Sequence, residues 1–476
     1  MEVFGVVFSG VEFLFYFLPI ALIGYFCILR GRKARNIFLT VISLLFYAWG
    51  EPTFVLVMLL SIFLNYCFGL LIDKNREKPK AARLVLTLMC VTNVGLLGVF
   101  KYLMFLMKSV NSVFSLNLPV PGIALPIGIS FFTFQAMSYV IDVYRGKGEV
   151  QKHFMNVCLY ISFFPQLIAG PIVRYQTVAD EIMDRKETWD DFTEGARRFI
   201  IGLCKKVILA NNLAVIVDML FPLSSATGQS VMSAWLAACC YLMQVYYDFG
   251  GYSDMAIGLG RMFGFHFLEN FDFPFISRSV TEFWRRWHIS LGSWFRDYVF
   301  FPLGGSRVKT KLRLAFNMFV VWSLTGLWHG ADWTYVLWGV AFAVILIIEK
   351  LTGLAKWMEK HKIGHFYAML IVVTVTILIR STDIASAFDF LKTMFLLNGA
   401  PVYNATVGFM LTKNLSVIIM SVVCGIPFNR MIRSRLSGRA EKVYELLAGI
   451  TLLVLMVIAI SFVTTGSYNP FIYFNF

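Results

Sequence analysis

Apolar runs long enough to cross a bilayer follow one another through almost the whole chain, and only short charged connections separate them. VEFLFYFLPIALIGYFCIL (11–29) and PTFVLVMLLSIFLNYCFGLLI (52–72) are two of them. A helix rises 1.5 Å per residue, so about 20 such residues match a hydrocarbon core of roughly 30 Å. With 58% of 476 residues hydrophobic and 15% charged, no soluble fold has enough interior to hide the apolar surface. No polar stretch is long enough to build a second core. The expected architecture is a single all-α integral membrane domain over 1–476.

Further spans are expected at 36–49, 84–107, 125–143, 199–221, 234–249, 314–328, 333–348, 366–379, 415–427 and 446–463, giving about eleven crossings with the shortest shallow or tilted. The run 11–29 has no basic region before it and no small-residue cleavage pattern after it, so it is expected to stay as the first helix. Arg30, Arg32, Lys33 and Arg35 follow it and belong on the cytoplasmic side. The parity then holds. The basic loop 74–83 falls inside, 111–122 has neither lysine nor arginine and falls outside, and Arg145, Lys147 and Lys152 return inside. Basic clusters at 350–362 and 430–442 also fall inside. Both termini, including the closing YNPFIYFNF, are thereby expected outside the cytoplasm.

Two regions resist this pattern. The aromatic, glycine-rich and basic stretch 250–313, and 154–170 ending in PQLIAG, read as shallow or re-entrant helices against protein walls. Residues 386–397 read as an amphipathic interfacial helix.

The net charge of +14 sits largely in loops where topology already requires cations, so it does not imply nucleic acid. The eight cysteines lie mostly in apolar runs without metal-ligand or disulfide-framework spacing, and read as reduced packing residues. No HExxH, GxSxG or complete phosphate-binding loop is present, and the last absence argues against an ATP-driven pump. What remains is a small polar set in aromatic surroundings: Gln244, Asp248, Ser253, Asp254, Glu282, Arg285, Arg286, His288, Ser290, Asn317, His329 and Asp332.

His329 closes the run 314–328 in Trp328-His329-Gly330, and an ionisable ring at membrane depth is a functional hypothesis by default. A neutral imidazole, favoured by desolvation, accepts a proton from a hydroxyl nucleophile and returns it to a leaving group. The alternative is a ring hydrogen-bonded between packed helices. Around His288 in TEFWRRWHISLGSW, a helical reading puts Trp284, Arg285 and Leu291 on one face, a wall suited to an acyl carrier with a long arm and anionic groups. Trp287, Arg286 and Ser290 complete that candidate surface, since arginine is the better donor to a diphosphate. An interfacial helix with snorkelling arginines has the same composition. In YYDFGGYSDMAIGLG (246–260) the paired glycines permit close backbone approach or a helix break, and Asp248 and Asp254 either orient a histidine, pair with Arg285 and Arg286, or cap and pair internally.

VFSGVEFLFYFLP, QLIAGPIVRY, YYDFGGYSDMAIGLGRMFGF, NFDFPFISRSVTEFWRRWHISLGSWFRDYVFFPLGG, GLWHGADWTYVLWG, ILIRSTDIASAF and YNPFIYFNF together resemble the membrane-bound O-acyltransferase (MBOAT) family, and most of all its alginate- and peptidoglycan-acetylating branch. The resemblance spans essentially the whole chain. It implies a helical enzyme of the bacterial cytoplasmic membrane, built around a central tunnel where a cytoplasmic acyl thioester meets an extracytoplasmic acceptor. It implies acetyl-CoA as donor, no permanently bound cofactor and no metal. It further implies a polysaccharide acceptor reached directly or through an SGNH-type acetyltransferase partner. His329 matches the family's essential histidine and His288 the second active-site histidine, which puts the catalytic region at about 240–350; Asp248, Asp254, Gln244 and Asn317 are added as supporting polar groups on the reading of the residues themselves. A D-alanyl transferase acting towards teichoic acid is the alternative within the family. A polysaccharide transporter or export channel is the alternative from another class, although no internal repeat is visible between the halves.

Overall fold

The computed structural model describes residues 7–221, 229–466 and 468–470, and every regular element among them is helical. Among the described residues seven helices are long and apolar enough to cross a membrane by length and composition: Phe54–Lys74, Pro79–Phe114, Trp189–Leu220, Trp333–Thr352, Ile363–Arg380, Ala405–Cys424 and Arg439–Thr464. The chain is an all-α, multi-pass membrane protein. The other expected crossings also fall on helices, but on shorter or more polar ones: Phe13–Ile28, Arg32–Gly50, Ile129–Tyr144, Val231–Met262 and Lys311–His329. Arg439–Thr464 leaves Leu446, Leu447, Ile450, Leu453, Val454 and Val457 exposed, as a lipid-facing helix does.

The chain divides into two compact units, residues 1–199 with 252–268, and residues 200–251 with 269–476. In the first, the 154–170 stretch folds into two short helices, Phe154–Ser162 and Phe164–Leu167, whose polar backbone is met from within the protein. Tyr160 Oη donates to the Val173 carbonyl at 2.9 Å, and the Phe164 amide donates to Ser43 Oγ at 3.0 Å. The loop before Trp189 is pinned by Arg185, which is 4% exposed and donates to Asn36 Oδ1 at 2.8 Å and to the Phe263 carbonyl at 2.9 Å. Beside it the Glu187 carboxylate accepts from Arg32 and Tyr25. Burial opposes the Glu187 charge, yet those hydrogen bonds hold its carboxyl down at about 2.

The long helix Val231–Met262 runs unbroken through Gly250 and Gly251, so the paired glycines make no helix break, and of the two Gly251 serves a close approach. A Cβ on Gly251 would stand 2.8 Å from the Gly202 carbonyl oxygen and 3.1 Å from the Lys206 amide. At this crossing Lys206 and Asp248, 2% exposed each, form an ion pair of 2.6 Å. Lys206 also donates to the Pro470 carbonyl, Asn211 Nδ2 to Asn469 Oδ1 at 3.1 Å and Tyr468 Oη to Asp218 at 2.8 Å, so residues 468–470 are laced along Lys205–Ala210 and Asn211–Leu220. The rest of YNPFIYFNF, and most of the 222–229 connection, lie outside the described residues.

Lys311–His329 and Trp333–Thr352 form a tight antiparallel pair. A Cβ on Gly326 would stand 2.4 Å from the Tyr335 carbonyl oxygen, and one on Gly339 2.5 Å from that of Trp322. Asp332 starts the second helix by accepting from the Thr334 amide at 2.9 Å, which is its role here. The stretch 386–397, expected as an interfacial helix, is helical as part of Ile384–Met394, which is capped by Asp383 and buries Ala387, Phe390 and Met394 while Phe388 stays exposed. All eight cysteines are free.

Candidate active site

Two short helices and one irregular corner hold His288. Val280–Arg286 begins on Ser279, whose Oγ accepts from the Glu282 amide at 2.9 Å. The buried Glu349 carboxylate then accepts from the Val280 and Thr281 amides at 2.8 Å each, and from Thr281 Oγ1 at 2.6 Å. A carboxylate is well placed at a helix N-terminus, where the unsatisfied amides and the positive end of the dipole converge. The helix stops at Trp287, and a second one, Ile289–Phe295, follows.

Between them His288 takes φ 46° and ψ 52°, the left-handed region, at a cost of about 1–2 kcal/mol for an L-residue. The continuous helical face expected through Trp284, His288 and Leu291 is therefore corrected to a helix, a corner and a helix. A non-glycine residue held there is over-determined by its surroundings, and such residues cluster at functional sites. The corner leaves His288 2% exposed, edge-on to Phe249 with ring centroids 4.6 Å apart and 5.6 Å from the Trp328 ring.

His329 is the last residue of Lys311–His329, ended by Gly330 in extended backbone. It is 9% exposed and stands between indoles, with ring centroids 5.0 Å from Trp328 and 5.1 Å from Trp338. The two imidazoles, far apart in sequence, come to 6.1 Å between centroids.

His288 lines a cavity of about 660 Å³, together with Trp284, Arg285, Trp287, Arg296 and Lys350. Leu314, Met318, Val321, Trp322 and Thr325 line it along one helix, so the cavity climbs about 16 Å towards the turn below His329. Arg285, Arg296 and Lys350 are exposed whereas His288 is buried, so cations stand where the cavity meets solvent and the imidazole where it does not. His329 lines a second, apolar pocket of about 40 Å³ with Phe249, Trp338 and Thr376, and Trp284 and Trp287 wall both spaces.

The remaining sequence candidates fall elsewhere. Arg286 is held by Asp272 and Glu282 at 3.0 Å each and is not among the cavity-lining residues. Ser290 Oγ donates to Asn270 Oδ1 at 2.9 Å. Asp248 pairs with Lys206, and Asp254 pairs with Arg198 at 2.6 Å within the first unit, so neither acid meets Arg285 or Arg286 as one reading had it. Asn317 Nδ2 donates to the Gly305 carbonyl at 3.1 Å, bracing the turn after Arg296–Phe300, and Gln244 is buried on Val231–Met262. Arg296, Lys350 and Trp338 were not among the sequence candidates. The two cations look like any others that topology requires, and Trp338 carries no local signal beyond its aromatic run.

Residues 130–381 match the model of "MBOAT, membrane-bound O-acyltransferase family". The chain is 42% identical to the probable alginate O-acetylase AlgI of Pseudomonas syringae pv. tomato over 394 residues, covering 82% of this chain and 75% of that protein. It is 37% identical to the probable alginate O-acetylase AlgI of Pseudomonas putida over 99% of this chain and 100% of that one. The peptidoglycan O-acetyltransferase of Helicobacter pylori is 31% identical over 100% of this chain and 98% of its own length. With residues 130–381, more than half of the chain, matching the family model, and a relative 37% identical over 99% of the chain's length, this polytopic helical chain belongs to the membrane-bound O-acyltransferase family.

Proposed function

We propose that the chain moves an acetyl group from cytoplasmic acetyl-CoA to a hydroxyl on an extracytoplasmic acceptor. One observation carries this reading: the approach of His288 and His329 to 6.1 Å beside a cavity whose solvent end bears Arg285, Arg296 and Lys350. The three cations receive the diphosphate and phosphate groups of the donor, and the apolar shaft past Trp322 takes its extended arm, thioester foremost.

His329 acts as general base. It takes the proton of the acceptor hydroxyl as the oxygen attacks the thioester carbon, while His288 orients the acceptor or stabilises the oxyanion. The C–O bond forms, the C–S bond breaks, the thiolate leaves towards the cytoplasm, and the proton held by His329 neutralises it. In this reading the protein sits in the bacterial cytoplasmic membrane with both termini outside the cytoplasm, as the distribution of lysine and arginine indicates. The names of the relatives support a secreted or cell-wall polysaccharide as final acceptor; in this proposal it is reached directly or through an SGNH-type acetyltransferase.

The donor reading is tested with inside-out vesicles of the host membrane. Radiolabelled acetyl-CoA is added outside, and unacetylated alginate or peptidoglycan is enclosed. The combined Arg285→Gln, Arg296→Gln and Lys350→Gln protein should show a KM for acetyl-CoA raised at least about tenfold, with kcat nearly kept. An unchanged KM removes the cations from the donor site.

A further inference from the structure

We infer that Asn270 is the positioning residue for His288, acting on the backbone of the corner and not on substrate. This rests on the reading above, in which His288 takes part in acetyl transfer. Asn270 has no measurable exposure and lies in a segment that pairs with the corner from the other side. The Asp272 amide donates to the Arg286 carbonyl at 2.9 Å, and the Ile289 amide to the Asn270 carbonyl at 3.0 Å, so residues 270–272 bracket 286–289 like a short antiparallel ladder. The Asn270 side chain adds the remaining hold. Its Oδ1 accepts from the Ser290 amide at 3.2 Å and from Ser290 Oγ at 2.9 Å.

These bonds fall on the two residues after His288. The first amides of a helix have no partner within it, and here Ile289–Phe295 offers two of them to Asn270. An ordinary N-cap would accept with its own side chain from a non-helical but unstrained backbone. His288 supplies no such cap bond, and its backbone is left-handed. The cap is therefore delivered from a distance by Asn270. With the helix start fixed from outside, the residue before it is free to take the left-handed conformation that sets its ring against Phe249 and opposite His329. Asparagine suits the task because one short side chain gives an acceptor to both donors of Ser290.

The test uses the full-length protein in the same vesicles. Asn270→Ala should lower kcat about 10- to 100-fold, the scale on which a shift of about 1 Å in a reacting group acts, with the KM for acetyl-CoA within about twofold. Asn270→Asp keeps an acceptor in place and should recover most of kcat. Ser290→Ala, which removes one of the two donors, should lose a smaller factor. In a His288→Ala background, both Asn270→Ala and Ser290→Ala should cost nothing further, because a residue that acts through His288 has nothing left to position. Full kcat in Asn270→Ala, a loss only in KM, or an undiminished further loss in the His288→Ala background would each overturn the assignment. Should Asn270→Ala fail to reach the membrane, the Ser290→Ala pair with and without His288 decides it alone. Absence of acetyl transfer by the wild-type protein instead defeats the proposed function and leaves these comparisons recognisably different.

Discussion

The rings of His288 and His329 stand 6.1 Å apart at an interplanar angle of 59°, one on a left-handed corner and the other on the last turn of a helix. Neither element alone fixes that separation. It depends on Val280–Arg286 being gripped by Glu349 of Trp333–Thr352, and on Lys311–His329 being pressed against that same helix. Trp333–Thr352 thus sets the position of both imidazoles, which ties the proposed chemistry to the tightness of one helix pair.

That tightness is testable at its narrowest point. Gly326→Ala would place a Cβ 2.4 Å from the Tyr335 carbonyl oxygen, which is backbone and cannot rotate away. The pair must spread, at a cost of about 1–3 kcal/mol, and His329 lies one turn on. Thermal unfolding in detergent should show the lower stability, and acetyl transfer should fall further than the loss of folded protein explains. Gly449→Ala, on Arg439–Thr464 with open space where its Cβ would go, should do neither.

Lys206 and Asp248 make a different prediction, because both are 2% exposed and 2.6 Å apart. Lys206→Met removes one charge and leaves the other buried, an arrangement that typically costs about 3–5 kcal/mol. The double variant Lys206→Met with Asp248→Asn should recover a large part of that loss. A double-mutant cycle on midpoint temperature checks it, and simple additivity of the two losses would refute the pairing.

The spans were legible in the sequence because crossing a bilayer demands a length of apolar residues that nothing else demands. His329 was legible for the complementary reason, as an ionisable ring at the end of such a run. The corner at His288 was not. Its left-handed backbone is bracketed by hydrogen bonds to Asn270, a residue whose own neighbourhood, NFDFPF, carries no local signal for such a corner. Arg286 and Lys350 could not be told apart for a similar reason. Hydropathy treats cytoplasmic cations alike, and only tertiary contacts show that Asp272 and Glu282 hold Arg286 while Lys350 borders the cavity. At Gly250 and Gly251 the sequence allowed a break or a close approach; the helix is unbroken, and packing against Gly202 requires the small residue at Gly251.

A pH dependence is expected in the first unit. His266 Nδ1 stands 2.7 Å from Glu181 Oε1 and its Nε2 3.4 Å from Asp191 Oδ1. Burial works against the imidazolium, but the hydrogen bonds and charges of the two acids outweigh it and raise the group above its ordinary 6.5. A raised folded-state value means the contribution is fully present below pH 6.5 and is lost as pH rises through the raised value. The difference in midpoint temperature between wild type and His266→Ala should accordingly shrink on going from pH 6 to about pH 9. A difference that grows with pH would contradict the pairing.

The most direct measurement is acetyl transfer by His329→Ala in inside-out vesicles, with acetyl-CoA binding and thermal unfolding recorded on the same preparation. Loss of the general base should reduce kcat by about 10²- to 10⁴-fold while the protein stays folded and still binds the donor. Transfer at the wild-type rate by a stably folded His329→Ala protein would contradict the account at its centre.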